Sequence, residues 1–407
     1  MNKHKKLNIN RYAVSVIMPA ACITLMCVLW VSCGVFTAKQ DEHIDESDIA
    51  EVPADTRMKI IGYVAGWGET DIENIDATKL THINYAFANV IDNRAMLQMP
   101  YDASNIARLN TLKNKNPDLK ILVSVGGWTW SGNFSDAALT PESRLQFAES
   151  IVDMIREHNL DGIDLDWEYP GQVGAGNVFR AEDKQNFTLL LRAVRKKLER
   201  MSDEEGRMGY DRYQLTIATG ANEAFQQNTE MDKVQRYLDF INIMTYDFHG
   251  SWTPTTGHHT NLYPSGNSSG MSSDLGVKNH IEAGVPVEKL VLGVAFYARG
   301  WAGVGTDNNG LFQNYETDLP SVAYADLAAN YINKNRYIRY WDDDAKAPFL
   351  WNEAERMFYT FDDHESLRHK ADYIKQRGLT GAMYWEHSHD VGETLLGVLY
   401  DELIGND

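Results

Sequence analysis

Three carboxylates occupy alternate positions within residues 161–170, Asp-Gly-Ile-Asp-Leu-Asp-Trp-Glu-Tyr-Pro. Successive side chains of a β-strand point to opposite faces, so Asp164, Asp166 and Glu168 share one face and the opposite face is apolar. Carboxylates this close, with no basic neighbour in sequence, cannot all ionise, and at least one is expected to keep its proton near neutral pH. A protonated carboxyl is what a general acid requires.

Two other interpretations of this acidic run are possible. A solvated acidic stretch is disfavoured because the apolar residues on the opposite face require burial. Carboxylates at this spacing could also bind Mg²⁺ or Ca²⁺, with His387 and His389 nearby after the last strand. Those histidines fit a loop better, so we expect no metal and no cofactor. His258 and His259 lie in a loop rich in Gly, Ser, Thr and Pro and are predicted to be surface residues.

Short β-rich runs, several of them almost wholly apolar, recur from residue 59 onward and alternate with helical patterns. The runs are Lys59–Gly66, His82–Ala88, Lys120–Gly126, Gly162–Trp167, Tyr213–Thr219, Phe240–Tyr246, Leu290–Tyr297 and Gly381–Trp385. The clearest helical patterns are Pro141–Asn159, Ala181–Arg200 and Asp363–Arg377. Eight strands alternating with helices predict an α/β protein with a closed (β/α)8 TIM barrel over residues 58–403. An open doubly wound sheet is the competitor, but its glycine-rich first turn is lacking here.

The interval between the seventh and eighth strands is too long for one helix. Residues 300–362 are rich in aromatic and β-forming residues, which predicts a small α+β subdomain inserted between strand 7 and helix 7. In a (β/α)8 barrel the active site lies at the carboxyl ends of the strands, where Glu168 is expected.

The first 33 residues have the pattern of an export segment. Four basic residues precede a long uncharged stretch, and Leu-Trp-Val-Ser-Cys-Gly at 29–34 resembles the cleavage site of bacterial lipoproteins. A lipidated Cys33 is favoured; an uncleaved anchor and plain secretion remain open. Residues 34–57 are predicted to be an acidic linker. We therefore expect an exported protein of the bacterial cell envelope, tethered by lipid to the outer membrane or surface.

Composition excludes several classes of function. The chain has 38 Lys and Arg against 57 Asp and Glu, a net charge of −19, which disfavours binding to nucleic acid. All three cysteines lie in the first 33 residues, so a disulfide framework, a thiol nucleophile and cysteine metal sites are excluded from the rest.

The acidic run resembles the active-site signature of glycoside hydrolase family 18, the chitinase family. Other segments resemble family motifs in the same order along the chain: residues 124–128 (Ser-Val-Gly-Gly-Trp), 244–247 (Met-Thr-Tyr-Asp), 297–300 (Tyr-Ala-Arg-Gly) and 383–386 (Met-Tyr-Trp-Glu). The insertion resembles that of the family branch with deep clefts. The resemblance covers residues 58 to about 403.

The resemblance implies a retaining hydrolase of β-1,4 bonds between N-acetylglucosamine units, acting on chitin or chito-oligosaccharides. The nucleophile would be the substrate's own 2-acetamido oxygen. Glu168 would be the general acid and base, and Asp166 would orient the acetamido group. Asp164 would share a proton with Asp166, and Tyr246 would hold the acetamido oxygen.

Further residues are expected to bind substrate at the rim. Trp385 is expected to form the floor of the cleaved-sugar subsite, while Tyr63 and Phe87 could line it or belong to the barrel core. Arg299 needs a partner, either a carboxylate or a sugar hydroxyl, and the hydroxyl is favoured. Trp252 and Trp301 are weaker candidates. The remaining predicted binding residues are Gly127, Trp128, Tyr169, Met244 and Asp247.

Two alternative functions remain open. An endo-β-N-acetylglucosaminidase acting on N-glycan cores would use the same acidic run, although the insertion favours a long chitin chain. A non-catalytic carbohydrate-binding lectin is the second alternative, disfavoured because all three acids are present. We expect a monomer.

Overall fold

Strands and helices alternate along the computed structural model, which describes residues 51–67, 71–266 and 270–405. The strands are β1 Lys59–Ala65, β2 His82–Ile91, β3 Arg94–Met96, β4 Lys120–Gly126, β5 Gly162–Asp166, β6 Gln214–Gly220, β7 Phe240–Met244, β8 Leu290–Ala295, β9 Tyr297–Ala302, β10 Thr317–Ala323, β11 Ile338–Asp342, β12 Ala347–Asn352, β13 Met357–Thr360 and β14 Gly381–Trp385. The α-helices are α1 Asp102–Thr111, α2 Phe134–Ala137, α3 Pro141–His158, α4 Asp183–Glu204, α5 Glu223–Gln227, α6 Met231–Val234, α7 Ser273–Glu282, α8 Tyr324–Asn330, α9 His364–Arg377 and α10 Thr394–Leu403.

Eight parallel strands form a closed barrel in the order β1-β14-β8-β7-β6-β5-β4-β2, and β2 pairs with β1 to complete the ring. The predicted (β/α)8 barrel is therefore confirmed. Each of the eight predicted strands forms, most of them within one or two residues of the expected bounds. The exception is β2, which runs three residues further and pairs with β3 as a hairpin. The seventh run stops two residues early, at Ala295.

All three predicted helices form, and two of them, α3 and α9, carry capping residues at their ends. Thr140 caps α3 through the backbone N–H of Ser143, and Pro141 opens the helix. Asp363 caps the start of α9, and Gly378, with φ 75°, caps its end. The third helix, α4, starts two residues later and ends four residues later than predicted.

The faces of β5 divide as the alternation predicts. Trp167, which follows the strand, is buried on the helix side, where its ring stacks on Phe134 at 5.3 Å between centroids. The opposite face points into the barrel and carries the carboxylates. Apolar packing between strands and helices thus fixes the direction in which the acids point.

The segment between β8 and α9 forms a five-stranded antiparallel sheet in the order β10-β9-β13-β12-β11, with α8 after β10. This sheet begins at Tyr297, so Tyr297 and Arg299 belong to its strand β9 and not to the barrel strand. The sheet has its own core, which includes Trp301 at 0% exposure. Trp301 therefore packs inside the subdomain and does not line the cleft.

Part of the predicted acidic linker packs against the barrel. The Val52 N–H donates to the Arg236 carbonyl at 3.0 Å, and the buried Lys289 ammonium donates to the Val52 carbonyl at 2.7 Å. Residues 1–50, including the predicted export segment, lie outside the described residues. Among the described residues, none of the helices has the length and apolar character needed to cross a bilayer.

Candidate active site

Asp164 lies inside the barrel and is completely buried on β5. Its Oδ2 accepts hydrogen bonds from Tyr63 at 2.9 Å and Ser124 at 2.7 Å, and its Oδ1 accepts one from Thr216 at 2.6 Å. Asn242 approaches the same oxygen at 3.4 Å. Burial raises the pKa of Asp164, although these donors act in the opposite direction.

Asp166 is the next acid on the same face. Burial raises its pKa well above the ordinary range, and the charges of Glu168 and Asp164 raise it further. Its Oδ1 is buried and has no hydrogen-bond partner among the described residues. A buried polar atom without a partner is costly, so Asp166 is suited to accept a hydrogen bond from a bound molecule.

Glu168 follows the end of β5 and is 9% exposed. Its backbone N–H donates to Ser131 Oγ at 2.8 Å, and that hydroxyl lies within hydrogen-bond distance of the Gly127 and Asp166 carbonyls. Burial raises the pKa of Glu168 to about 7, and the negative charge of Asp247 also raises it. A carboxyl with this pKa remains substantially protonated near neutral pH, as a general acid must.

Two glycines let the end of β4 approach the end of β5. Gly126 and Gly127 have φ values of 110° and 80°, which favour glycine. The Gly127 N–H donates to the Asp166 carbonyl at 2.8 Å, and a Cβ at Gly127 would lie 2.7 Å from the Phe87 ring. Gly127 therefore contributes to the site with its backbone and not with a side chain.

Tyr246 and Met244 come from the end of β7. Burial raises the pKa of Tyr246 well above the ordinary range, and the negative charge of Asp166 raises it further. The Tyr246 hydroxyl therefore keeps its proton. That hydroxyl lies 3.8 Å from Met383 Sδ, a weak acceptor. Met244 and Tyr246 pack against the same small cluster of barrel residues as Trp385.

Four aromatic residues form a layer at this rim. Trp385 stacks on Phe87 at 5.5 Å between centroids and lies 5.8 Å from Tyr63. Trp67, which is not among the predicted site residues, stacks on Phe87 at 6.0 Å between centroids and is 54% exposed. Its position directly after β1 could have identified it, since the selected tryptophans also follow or end strands.

Asp247, with φ 61°, follows Tyr246 and connects the barrel to the inserted sheet. Its Oδ1 accepts hydrogen bonds from the Tyr297 hydroxyl and from Arg299 Nε, each at 2.6 Å. Arg299 is thus paired with a carboxylate and not, as predicted, with a sugar hydroxyl. Burial alone would raise the pKa of Asp247, but His259 and Arg299 outweigh that effect and lower it.

The prediction that His258 and His259 are surface residues is wrong, because both side chains are buried. The loop that carries them packs against the inserted sheet. His258 Nε2 lies 3.0 Å from Asp342 Oδ2, and the His259 backbone N–H donates to Thr360 Oγ1. Polar loop residues are buried here because the insertion covers them, and local sequence does not carry that information.

Two further candidates, Trp128 and Trp252, are exposed around the rim. Trp128 lies 6.5 Å from the Tyr169 ring, and both follow barrel strands. Trp252 is 59% exposed, and the Arg299 guanidinium lies 4.9 Å from the centre of its ring. Exposed aromatic faces at both positions can stack on the apolar faces of sugar rings.

The two histidines after β14 contact neighbouring side chains. His387 Nδ1 lies 2.9 Å from the Tyr384 hydroxyl, and His389 Nε2 lies 3.1 Å from Glu386. In the part of the chain that the structure describes, no three His, Cys, Asp or Glu side chains are grouped so as to hold a metal ion.

The sequence of this chain matches a known protein family and several known proteins. Residues 59–390 match the sequence model of the family described as Glycosyl hydrolases family 18. Chitinase A1 of Niallia circulans is 40% identical over 420 residues, covering 87% of this chain and 60% of the relative. Chitotriosidase-1 of Mus musculus is 33% identical, with 80% of this chain and 72% of the relative covered. This chain thus spans less than two thirds of the Niallia protein.

Solved structures of similar proteins have the same fold. A family 18 N-acetylglucosaminidase from Paenibacillus barengoltzii is 44% identical with a TM-score of 0.79, covering 85% of this chain and 100% of that chain. A chitinase from Bacillus thuringiensis is 38% identical with a TM-score of 0.81, covering 86% of this chain and 70% of that chain.

Proposed function

The chain belongs to family 18 of the glycosyl hydrolases, and we propose that it is a retaining chitinase that cleaves β-1,4 bonds between N-acetylglucosamine units. The observation that carries this proposal is the buried carboxyl run, in which Glu168 is held with a pKa of about 7 beside an aromatic layer. The relatives named as chitinases support the substrate.

Glu168 donates its proton to the glycosidic oxygen as the bond to the anomeric carbon breaks. The oxygen of the sugar's 2-acetamido group attacks that carbon from the opposite face and forms a cyclic oxazolinium ion. Because this nucleophile belongs to the substrate, a second catalytic carboxylate across the ring is not required. Water then opens the ring, Glu168 takes the proton from this water, and the original anomeric configuration returns.

Asp166 accepts the acetamido N–H on its unpartnered Oδ1 and stabilises the positive charge that develops on the ring. Asp164 lies behind it, fixed by its hydroxyl donors, and shares the proton that two close carboxylates must hold between them. Tyr246 keeps its proton and donates it in a hydrogen bond to the acetamido oxygen, which holds the nucleophile in line.

The remaining residues bind the chain of sugars. Trp385, with Phe87 and Tyr63 beside it, forms the floor under the sugar that is cleaved, and Trp67 extends this layer. Trp128, Tyr169 and Gly127 bind on the β4 and β5 side of the cleft, while Met244 packs at the end of β7. Asp247 and Arg299 supply polar contacts on the opposite wall.

Release of single N-acetylglucosamine units from a chain end is a second candidate. It is favoured by the similarity to the Paenibacillus barengoltzii N-acetylglucosaminidase, which covers the whole of that chain. The two activities share the chemistry and differ in where the chain is cut. Product lengths at early times distinguish them.

The experiment is product analysis with chitin hexasaccharide and with a glycoprotein carrying N-linked glycans. Dimers, trimers and tetramers that appear first as β-anomers support the proposal, and Glu168→Gln should abolish them. Monomer as the first and only small product supports the second candidate. Release of intact glycans from the glycoprotein would instead identify an enzyme of N-glycan cores, and oligomer binding without cleavage would identify a lectin.

We further propose that the enzyme is exported and tethered to the bacterial envelope by a lipid on Cys33, and that it acts as a monomer. The basic start, the apolar stretch and the Ser-Cys-Gly segment of residues 1–34 support the tether. Cys33→Ser should move the protein out of the membrane fraction, and an unchanged distribution would count against lipidation. Light scattering of the purified protein measures its mass in solution and so tests whether it is a monomer.

A further inference from the structure

A buried histidine beside the active site has no place in the mechanism above. His259 lies in the loop after β7 and is 0% exposed. Its Nδ1 lies 3.5 Å from Asp247 Oδ1, and its ring centre is 5.1 Å from that of Tyr297. Among the described residues, neither ring nitrogen has a hydrogen bond of ordinary geometry. Burying a polar ring costs folding free energy unless the ring forms a hydrogen bond with a neighbouring group.

The direction of the interaction follows from the chemistry of the two groups. A carboxylate oxygen only accepts hydrogen bonds, so a ring nitrogen that faces it favourably must carry hydrogen. The Nε2 atom is buried without a partner among the described residues, and a proton there would add an unpaired buried donor. The arrangement therefore favours the neutral imidazole with its hydrogen on Nδ1. Burial lowers the pKa of His259, which also favours the neutral ring.

All the polar contacts to Asp247 converge on one oxygen. Tyr297 and Arg299 donate to Oδ1, and His259 approaches the same atom, while no described residue donates a hydrogen bond to Oδ2. The Asp247 side chain is 36% exposed. With Oδ1 held from three directions, Oδ2 remains the oxygen available to a ligand in the cleft.

We propose that His259 is a positioning residue that fixes the Asp247 carboxylate through its Nδ1–H, so that Oδ2 stays available to a sugar hydroxyl. This inference rests on the proposed function, since it assigns Asp247 to substrate binding. The 3.5 Å separation is expected to shorten when substrate binds, because hydrogen bonds in active sites without ligand are often long.

A double-mutant cycle in the full chain tests the proposal, with a chromogenic chito-oligosaccharide as substrate. We expect His259→Phe to lower kcat/KM about tenfold, the effect of losing one hydrogen bond to a charged group. His259→Asn, which keeps an N–H at a similar position, should stay within about threefold of the wild type. In an Asp247→Asn background, His259→Phe should change kcat/KM by less than about threefold, because the neutral amide oxygen is a weaker acceptor than the carboxylate it replaces.

His258→Phe is the matched control. His258 is buried next to His259 in the chain but contacts Asp342 of the inserted sheet and not Asp247. Any loss of activity from His258→Phe should therefore be the same in the wild type and in the Asp247→Asn background. Losses from His259→Phe that multiply with those of Asp247→Asn would show a general structural role and overturn the proposal.

A second measurement decides the matter even if His259→Phe does not fold or the wild type does not cleave the substrate. Nitrogen-15 spectra of histidine-labelled protein identify which ring nitrogen carries hydrogen, and His259→Asn assigns the signal. We expect hydrogen on Nδ1 in the wild type and a redistribution toward Nε2 in Asp247→Asn. Hydrogen on Nε2 in the wild type, or a signal indifferent to Asp247→Asn, would refute the positioning role. Absence of cleavage by the wild type would instead refute the proposed function.

Discussion

Two neighbours of Glu168 act on its pKa in opposite directions, which yields a paired prediction. Hydrogen bonding by Tyr169 lowers the pKa of Glu168, whereas the negative charge of Asp247 raises it. Tyr169→Phe should therefore raise the pKa of Glu168, and Asp247→Asn should lower it. Because the first chemical step needs a protonated Glu168, the alkaline limb of kcat/KM should move with this pKa.

The size of the effect follows from the pKa of about 7. With this value about nine-tenths of the enzyme carries the proton at pH 6 and about one-tenth at pH 8. A shift of roughly one unit in either direction, typical of a nearby charge or hydrogen bond, changes the rate at pH 8 several-fold. Tyr169→Phe should gain activity at pH 8 relative to its own plateau, and Asp247→Asn should lose it.

The assay is initial-rate hydrolysis of a chromogenic chito-oligosaccharide from pH 4 to 9, with each variant normalised to its own maximum. Normalisation separates the position of the limb from losses of binding. His258→Phe serves as a control for general disturbance of the β7 loop. Limbs that move in the same direction in both variants, or do not move, would refute the assignment of Glu168 as the titrating acid.

Three further predictions concern stability and binding. Glu168→Gln should lose activity by orders of magnitude yet stabilise the fold. The pKa of Glu168 is raised from 4.5 to about 7 in the native state, so the wild type loses about 3 kcal/mol of its free energy of unfolding as the pH rises across that interval. The glutamine variant does not ionise and avoids this loss. Melting curves should show this gain at pH 8 and little at pH 4. Trp67→Ala should raise KM for hexasaccharide more than for trisaccharide, whereas Met208→Ala, also exposed but outside the aromatic layer, should not. Lys370→Met should lower the free energy of unfolding by about 3–5 kcal/mol because it leaves the Asp362 carboxylate buried without its ammonium partner, and Asp362→Asn in the same chain should recover part of this loss in denaturant titrations.

Patterns confined to one strand could be predicted from the sequence. The alternation in residues 161–170 identified which acids share a face, because Trp167 and its apolar neighbours must pack against helices. Short apolar, β-rich runs located β1, β4 and β14, whose side chains are mostly buried. Continuous apolar runs mark these strands because a barrel buries both faces of every strand.

Contacts across the barrel and into the insertion could not be predicted in this way. The boundary of the inserted sheet was misplaced because Tyr297 and Arg299 continue the β-rich run of β8, although they pair with β10 and β13. His259 was assigned to the surface because its neighbours in sequence are small and polar. What buries it is the inserted sheet, whose first strand begins only at Tyr297.

The inserted subdomain is therefore part of the active site and more than a wall beside it. Asp247 belongs to the barrel, but both of its close donors, Tyr297 and Arg299, lie on β9 of the insertion. The Arg299 guanidinium also lies against the exposed Trp252 ring. One residue of the insertion therefore contacts both the Asp247 carboxylate and an aromatic ring at the same rim. Asp247 in turn raises the pKa of Glu168. The insertion therefore influences the pKa of Glu168 indirectly, through its contacts with Asp247. Changes in the inserted sheet should accordingly alter the pH dependence of the reaction as well as the length of chain that is bound.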